Sequence, residues 1–568
     1  MLKGLRWPLV VMASLLLIVA LLPHPGDGNA TTAAAESETE TPIQTAAETA
    51  RPLPAAPAIA PQNVLVEALV GEIRKINPLL ATNNAVDRDI ASLIFEGLTT
   101  INQYGEVIPD LATAWTVSPD GLQYVFELRQ DVLWHDGVPF TSADVVFTVE
   151  VLSDPQFPGA ETLYSFWRTV EVDALGDYLV RFRLTHPLAS FPDYLRIGII
   201  PAHVLRGVPA NQLGSHPFNL ASPIGTGPYQ IETLTANEGQ IDGIQLRVAP
   251  NYRLREDGAD GYALDRVVFR TYASIELALD AYQRGEVNSI GDLPLLYQTA
   301  AQQLNGLSIY TAPRANVGML IYNWDRLDFA SNPRVRLALA HALNRSDLVT
   351  DYMASTALPA DSPLPPTNWA YVAGLEWPDY SLDQARAMLS MSNADSVTGG
   401  DQPRLEASLT VLTLNDPALV GLANEIGAEW GTLGLSARVE AVDAVALRER
   451  LAGGDFDVAV VEYSFEPGAD PDPFVFWHQS QDQNYGRVND RRISEALEMA
   501  RRDPEGINRA VYYQRFQELF AERVPALPLY VPLYQYVADQ RLQGVQLGFL
   551  STPSDRFLNI KDWRFAGP

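Results

Sequence analysis

LTVLTLNDPALVGLANEIGAEWGTLGLSARVEAVDAVALRERLAGGDFDVAVVEYSFEPGADPDPFVFW, residues 409–477, is the stretch from which the fold is read. The apolar run Leu409–Leu414 predicts a strand. Asn415-Asp416-Pro417 then starts a helix: Asp416 can accept hydrogen bonds from the free N–H groups of the first turn, and Pro417 suits the first helical position. Leu419, Leu422, Ala423, Ile426, Trp430 and Leu433 recur at helical spacing, and Gly434 ends the turn. Ser436–Val442 predicts a second strand, and a helix capped by Asp443 closes at Gly453-Gly454. Phe456–Val461 predicts a third strand. This alternation implies parallel strands with right-handed crossovers, and such sheets bind ligands beyond the carboxyl ends of their strands. The last strand empties into Glu462–Phe474, a loop of acids, aromatics and three prolines. A binding loop is one reading. The other is a surface connection whose aromatics cap the core and whose acids face water.

A chain of 568 residues holds several domains' worth of core. Its formal charge of −29 argues against nucleic acid and against docking on anionic lipid. There is no cysteine, so disulfides, thiolate metal sites and a cysteine nucleophile are excluded. Residues 1–30 place Lys3 and Arg6 before the apolar run Leu9–Leu22 and a small-residue site, the pattern of a secretory signal; an uncleaved anchor is the alternative. Residues 31–61, rich in Ala, Thr, Glu and Pro, cannot offset the entropy of ordering and predict a disordered tether. The folded body is then expected outside the cytoplasmic membrane, with membrane association only through the N-terminal segment.

Within that body, Asn63–Ala68 predicts a strand and Asp87–Phe95 lies in a helical pattern. Gln123–Arg129 and Tyr178–Leu184 alternate as strands. Thr141 and Asp144 are spaced as a capping box. Ile224-Gly225-Thr226-Gly227-Pro228-Tyr229 sets two glycines beside an aromatic, giving either a backbone that a ligand approaches closely or a turn before a strand. Asp265–Gly291 predicts a β–α–β unit. Val317–Tyr322 predicts an apolar strand ending at Asn323 and Trp324.

Six pieces, in order, carry a resemblance to the extracytoplasmic solute-binding proteins of ABC importers for oligopeptides, dipeptides and nickel (family 5). They are "FEGL" at 95–98, "PDLATAW" at 109–115, "SPDGLQYVFELRQDVLWHDGVPFTSADVVFT" at 118–148, "IGTGPYQI" at 224–231, "NPRVRLALAHALNR" at 332–345 and "PALPLY" at 525–530. The resemblance runs from about residue 64 to the end. It implies an α/β, two-lobed fold of the large periplasmic-binding-protein type, cluster C, with an extra subdomain at about 100–222. The first lobe would span 62–271 and 526–568, and the second 272–525. Crossing hinge strands are expected near Arg270–Ser274 and Ala526–Pro532. The implied function is a monomeric, non-enzymatic receptor that closes over a solute, a peptide being favoured, and is recognised by permease subunits. Nickel complexes, oligosaccharides and opines are further ligands of such proteins.

In the oligopeptide-binding members the loop after the same strand carries an acid that pairs with the peptide's amino terminus. Counting without gaps from Phe456-Asp457-Val458 puts Glu466 there and Tyr463 at an aromatic that packs on the ligand. Dipeptide-type members align instead on Asp470-Pro471-Asp472, and then proline replaces the acid. The candidate ligand-binding residues are Glu466, Tyr463, Ser464, Phe465 and Trp477 on the loop, Tyr322 and Asn323 at the end of the apolar strand, and Gly227 and Tyr229. No cofactor or metal is expected: the seven histidines are scattered, and prolines hold Asp470 and Asp472 in a rigid turn. The competing function is a secreted hydrolase using Asp470, Asp472 or Glu466 as an acid–base pair, and a third is a ligand sensor without transport.

Overall fold

A computed structural model of the chain describes residues 63–159, 165–237, 239–259, 261–326, 332–353, 356–395 and 408–566. The expected leader and tether lie outside these residues. Among them, no helix is long and apolar enough to cross a membrane.

The stretch quoted above folds as its pattern predicts. Strands Ser408–Leu414 and Ser436–Val442 pair in parallel, and Val458–Ser464 pairs in parallel on the other side of the first. The Asp416 carboxylate accepts the N–H groups of Ala418 and Leu419 at 2.9 and 3.1 Å, starting the helix Pro417–Gly431. Asp443 does the same for Val445 and Ala446, and Gly454 closes that helix in the left-handed conformation, with φ 69°.

These strands form one end of a twelve-stranded sheet. Its middle is made by two long, antiparallel lines of chain. One is the uninterrupted strand Ala526–Asp539; the other is Leu307–Pro313 followed, after a break at Arg314-Ala315, by Asn316–Tyr322. Leu307–Pro313 pairs with Leu533–Asp539, whereas Asn316–Tyr322 pairs with the Ala526–Tyr530 end of the same strand. On the far side of Asn316–Tyr322 lies Val458–Ser464. At the other end, Val64–Val70 pairs in parallel with Arg266–Tyr272 and with Ser289-Ile290.

This pairing corrects the expected domain boundary. The β–α–β unit of residues 266–290 stays in the first lobe, because both its strands hydrogen-bond to the first strand of the body. The chain crosses at residues 313–316 and returns at 532–533, so the crossing expected near Arg270–Ser274 moves to Arg314. Along the strand Ala526–Asp539, the change of partner comes between Tyr530 and Leu533. Residues 63–313 with 533–566 therefore make the first lobe and 314–532 the second.

A separate four-stranded antiparallel sheet, in the spatial order Ala112–Val117, Gln123–Leu128, Leu179–Leu184, Val170–Gly176, accounts for the extra subdomain. The helix Ser142–Ser153 beside it has the predicted capping box, with the Asp144 carboxylate accepting the Thr141 N–H at 3.0 Å. Asp144 also accepts the Ala202 N–H at 2.9 Å, which ties the helix start to a second segment.

Candidate functional site

The strand Val458–Ser464 sets the chemistry of the loop that follows it. Its odd-numbered side chains Val461 and Tyr463 enter the second lobe's core, and Phe465 continues that side. Glu462 and Ser464 face out, and the alternation carries on to Glu466, which is half-buried. The strand runs three residues further than the apolar pattern predicts, because Ser464 still pairs with Asn316. Asn316 then binds this open side directly, donating to Glu462 Oε1 at 2.6 Å and accepting from Ser464 Oγ at 3.1 Å. The Ser464 hydroxyl accepts the Glu466 N–H at 3.2 Å. The Phe465 N–H donates to the carbonyl of Ala315 at 2.9 Å, pinning the loop to the break between the lobes.

Glu466 is thereby held beside the crossing. Burial raises its carboxyl above the usual carboxylate range; Arg314 and Arg88 pull it back, and Asp292 and Asp555 oppose them. Three of these neighbours, Arg88, Asp292 and Asp555, come from the first lobe, and the fourth, Arg314, from the crossing. Arg88 lies on the helix Ala85–Ile94, Asp555 on the returning segment and Arg314 at the crossing itself. Among the described residues, the Glu466 carboxylate has no hydrogen-bond or ion-pair partner. Arg314 is paired with Asp292, and its guanidinium lies 5.3 Å over the Tyr534 ring. Asp292 adopts a left-handed backbone with φ 51°, a conformation that costs about 1–3 kcal/mol outside glycine and often marks a ligand site. The Tyr534 hydroxyl and the Arg88 Nε are buried without a hydrogen-bond partner.

Next to the crossing, a cavity of about 440 Å³ opens on the seam between the lobes. Tyr104 and Phe549 line it from the first lobe, Pro313 from the crossing, and Asn368 and Trp369 from the second lobe. It is rich in rings and carries no charged side chain.

The other two acids of the loop are engaged. Asp470 forms a buried ion pair with Arg509 at 2.6 Å and also receives the Tyr513 hydroxyl at 3.3 Å. Asp472 pairs with Arg501 at 2.7 Å. The Asp-Pro-Asp run is thus a rigid turn held by two arginines, and its carboxylates are not presented as an acid–base pair.

Most of the remaining expected ligand contacts are corrected to core positions. Tyr463 is 4% exposed, with ring centroids 4.8 Å from Phe476 and 5.1 Å from Trp477. Phe465 meets Phe476 edge-on at 5.3 Å, and Trp477 packs on Phe520 at 4.7 Å. Tyr322 is fully buried and stacks on Trp430. The Asn323 amide donates to the carbonyls of Gly454 and Phe456 at 2.9 and 3.0 Å, closing a turn of its own lobe. Tyr229 is buried and donates to the Leu264 carbonyl at 2.9 Å.

The glycines at 225 and 227 do serve a close approach, but to the protein itself. A Cβ on Gly225 would stand 1.8 Å from the carbonyl oxygen of Ile94, and the Gly227 N–H donates to that oxygen at 2.9 Å. His135 seals this junction: Nδ1 accepts the Gly225 N–H at 3.2 Å, and Nε2 donates to the Gly227 carbonyl at 2.9 Å. Only the neutral ring satisfies both partners. Burial pushes its pKa down to about 4. Of the expected set, Glu466 and Ser464 remain on the open side. Arg314, Asp292, Arg88 and Asn316 were not anticipated; the one trace of them in the sequence is the Pro313-Arg314-Ala315-Asn316 interruption between two strand patterns.

Two lobes joined by crossing strands are the architecture of a periplasmic-type solute-binding protein. The comparisons agree. Residues 106–486 match the model of bacterial extracellular solute-binding proteins, family 5, and the chain belongs to that family. It is 25% identical over 518 residues to the oligopeptide-binding protein AppA of Bacillus subtilis, covering 88% of this chain and 91% of that one. It is 25% identical over 449 residues to the dipeptide-binding protein of Escherichia coli, covering 74% of this chain and 80% of that one. Among solved structures, NikZ from Campylobacter jejuni in complex with Ni(L-His) aligns with a TM-score of 0.66 at 26% identity, over 89% of this chain and 100% of that one. HbpA2 from Haemophilus parasuis shares the fold, with a TM-score of 0.76 at 22% identity over the same shares of the two chains.

Proposed function

We propose that this protein is the extracytoplasmic receptor of an ABC importer, and that it captures a solute bearing a primary ammonium group, a peptide above all, between its lobes. The observation that carries this reading is the Glu466 carboxylate, partly desolvated and without a partner at the crossing. A carboxylate in that state gains most from a cation that brings its own hydrogen-bond donors, which an ammonium does. Arg88 adds positive charge for the carboxylate of the same ligand, Arg314 being paired with Asp292, and the uncharged cavity on the seam suits an apolar side chain. The B. subtilis and E. coli relatives are named for oligopeptides and dipeptides, which agrees with such a ligand.

Contacts from both lobes supply the differential affinity that shifts the protein from open to closed, and the closed form is what a permease recognises. A receptor role fits better than a hydrolase: Asp470 and Asp472 are held by Arg509 and Arg501, which leaves Glu466 without a second free carboxylate of the loop to pair with. The basic and apolar residues 1–30 give it a leader or anchor for the outer face of the membrane. Mass spectrometry of the small molecule retained by the natively purified protein tests the reading. A primary-amine solute, a short peptide first, is the expected result; a retained neutral sugar or an anion without an amine would overturn it.

A further inference from the structure

Two short stretches, one from each lobe, meet just beyond Glu466. From the first lobe come Asp193 and Arg196, in the segment that follows Ser190. From the second comes Pro467–Asp470. The Asp193 carboxylate accepts the backbone N–H groups of Ala469 at 2.8 Å and Asp470 at 3.2 Å. Arg196 donates to the Pro467 carbonyl at 3.1 Å. Gly468 lets the chains come this close, since a Cβ there would stand 3.2 Å from Asp193 Oδ2. Nearby, the Ala189 N–H donates to the Arg501 carbonyl at 2.9 Å, and Ile101 and Phe549 of the first lobe join the apolar cluster around Phe465 and Ala469.

Each half of this contact is built within its own lobe. Arg196 is held by Asp193 at 3.1 Å, by Ser551 Oγ at 2.8 Å and by Asp555 at 3.3 Å, all in the first lobe. The loop is shaped from inside the second lobe, by Asp470 on Arg509, Asp472 on Arg501, and the Asn368 amide on the Ala469 carbonyl at 3.1 Å. Separation of the lobes would leave Asp193 its arginine and the loop its shape, so the contact can form and break without unfolding either side. What docking adds is three hydrogen bonds to the backbone of the loop, beginning one residue after Glu466.

We infer that Asp193 and Arg196 are positioning residues: they dock the two lobes beside the crossing by gripping the backbone of residues 467–470, and so hold Glu466 toward the solute. This rests on the reading of the cleft given above. Lobe docking and ligand capture would then be coupled through the loop, each favouring the other.

The absence of cysteine makes the test direct, because two introduced cysteines are the only labelling sites. Spin labels on Leu175→Cys in the first lobe and Val445→Cys in the second, both exposed, report the separation of the lobes. In ligand-stripped protein, Asp193→Ala is expected to move the distance distribution to longer values while the thermal midpoint stays within a few degrees. Tri-alanine is expected to bind the variant about tenfold more weakly, and at saturation to restore the short distance. A variant with the parent's distances and the parent's affinity would overturn the inference. Should Asp193→Ala fail to fold, Arg196→Gln is read in the same assay, and parental behaviour there overturns it equally. Failure of tri-alanine to bind either protein would count against the reading of the cleft, whereas the ligand-free distances still decide the docking contact.

Discussion

Glu466 and Asp470 lie four residues apart in one loop, and the fold treats them in opposite ways. Asp470 is given a buried arginine and a tyrosine hydroxyl; Glu466 is drawn out of water and given no partner among the described residues. The first arrangement fixes the shape of the loop. The second leaves a charge whose environment improves only when something else arrives. On the proposed function, the acidic, ring-rich loop is two devices: a scaffold at residues 470–474 and a receptor at residue 466.

Breaking the scaffold carries the largest effect. Asp470→Ala leaves the Arg509 guanidinium buried without its carboxylate, and loss of one partner of such a pair costs about 3–5 kcal/mol. Chemical denaturation should show that loss; a stability within about 1 kcal/mol of the parent would mean that the loop is not built on this pair.

Breaking the receptor should separate stability from binding. Glu466→Gln keeps the shape and removes a charge whose folded-state pKa is raised. The unfolded chain ionises this group more readily, so its charge opposes folding above the ordinary carboxylate range, and the variant should be as stable as the parent or slightly more so. Binding of an ammonium ligand should weaken by at least about 2 kcal/mol, near thirtyfold, by titration calorimetry. In the parent, the same raised pKa means that affinity starts to fall on acidification above the ordinary glutamate value of 4.5. Calorimetry across pH checks this, and a loss beginning only below that value would contradict it.

The effect that is smallest at neutral pH sharpens the same contrast with a group that the fold satisfies completely. His135 is locked as the neutral ring between Gly225 and Gly227. Its pKa near 4 lies below the ordinary 6.5, so the unfolded chain takes up the proton first and stability falls as the pH drops through that interval. A proton NMR titration of the folded protein should place the His135 midpoint near 4; a midpoint at 6.5 would show that the junction tolerates the charged ring.

The helix starts at Asp416 and Asp443, the parallel strands around them and the capping box at Thr141 were legible because each is decided within a few residues. The lobe boundary was not. Residues 266–290 form a β–α–β unit wherever they dock, and only pairing with Val64–Val70, some 200 positions away, assigns them to the first lobe. The aromatic candidates on the loop pack into the core for a local reason that could have been read. Ending the strand at Val461 hid the alternation that sends Tyr463 and Phe465 inward and leaves Ser464 and Glu466 outward. Arg88, Asp292 and Arg314 come from three distant segments, and no spacing in the sequence brings them together.

Recognition of a cation by Glu466 is tested most directly by calorimetry on tri-alanine and N-acetyl-tri-alanine, each against the parent and Glu466→Gln. Acetylation and the substitution should each cost about 2 kcal/mol or more alone and little further when combined, because both remove the same contact. Losses that simply add, or an acetylated peptide bound as tightly as the free one, would contradict it.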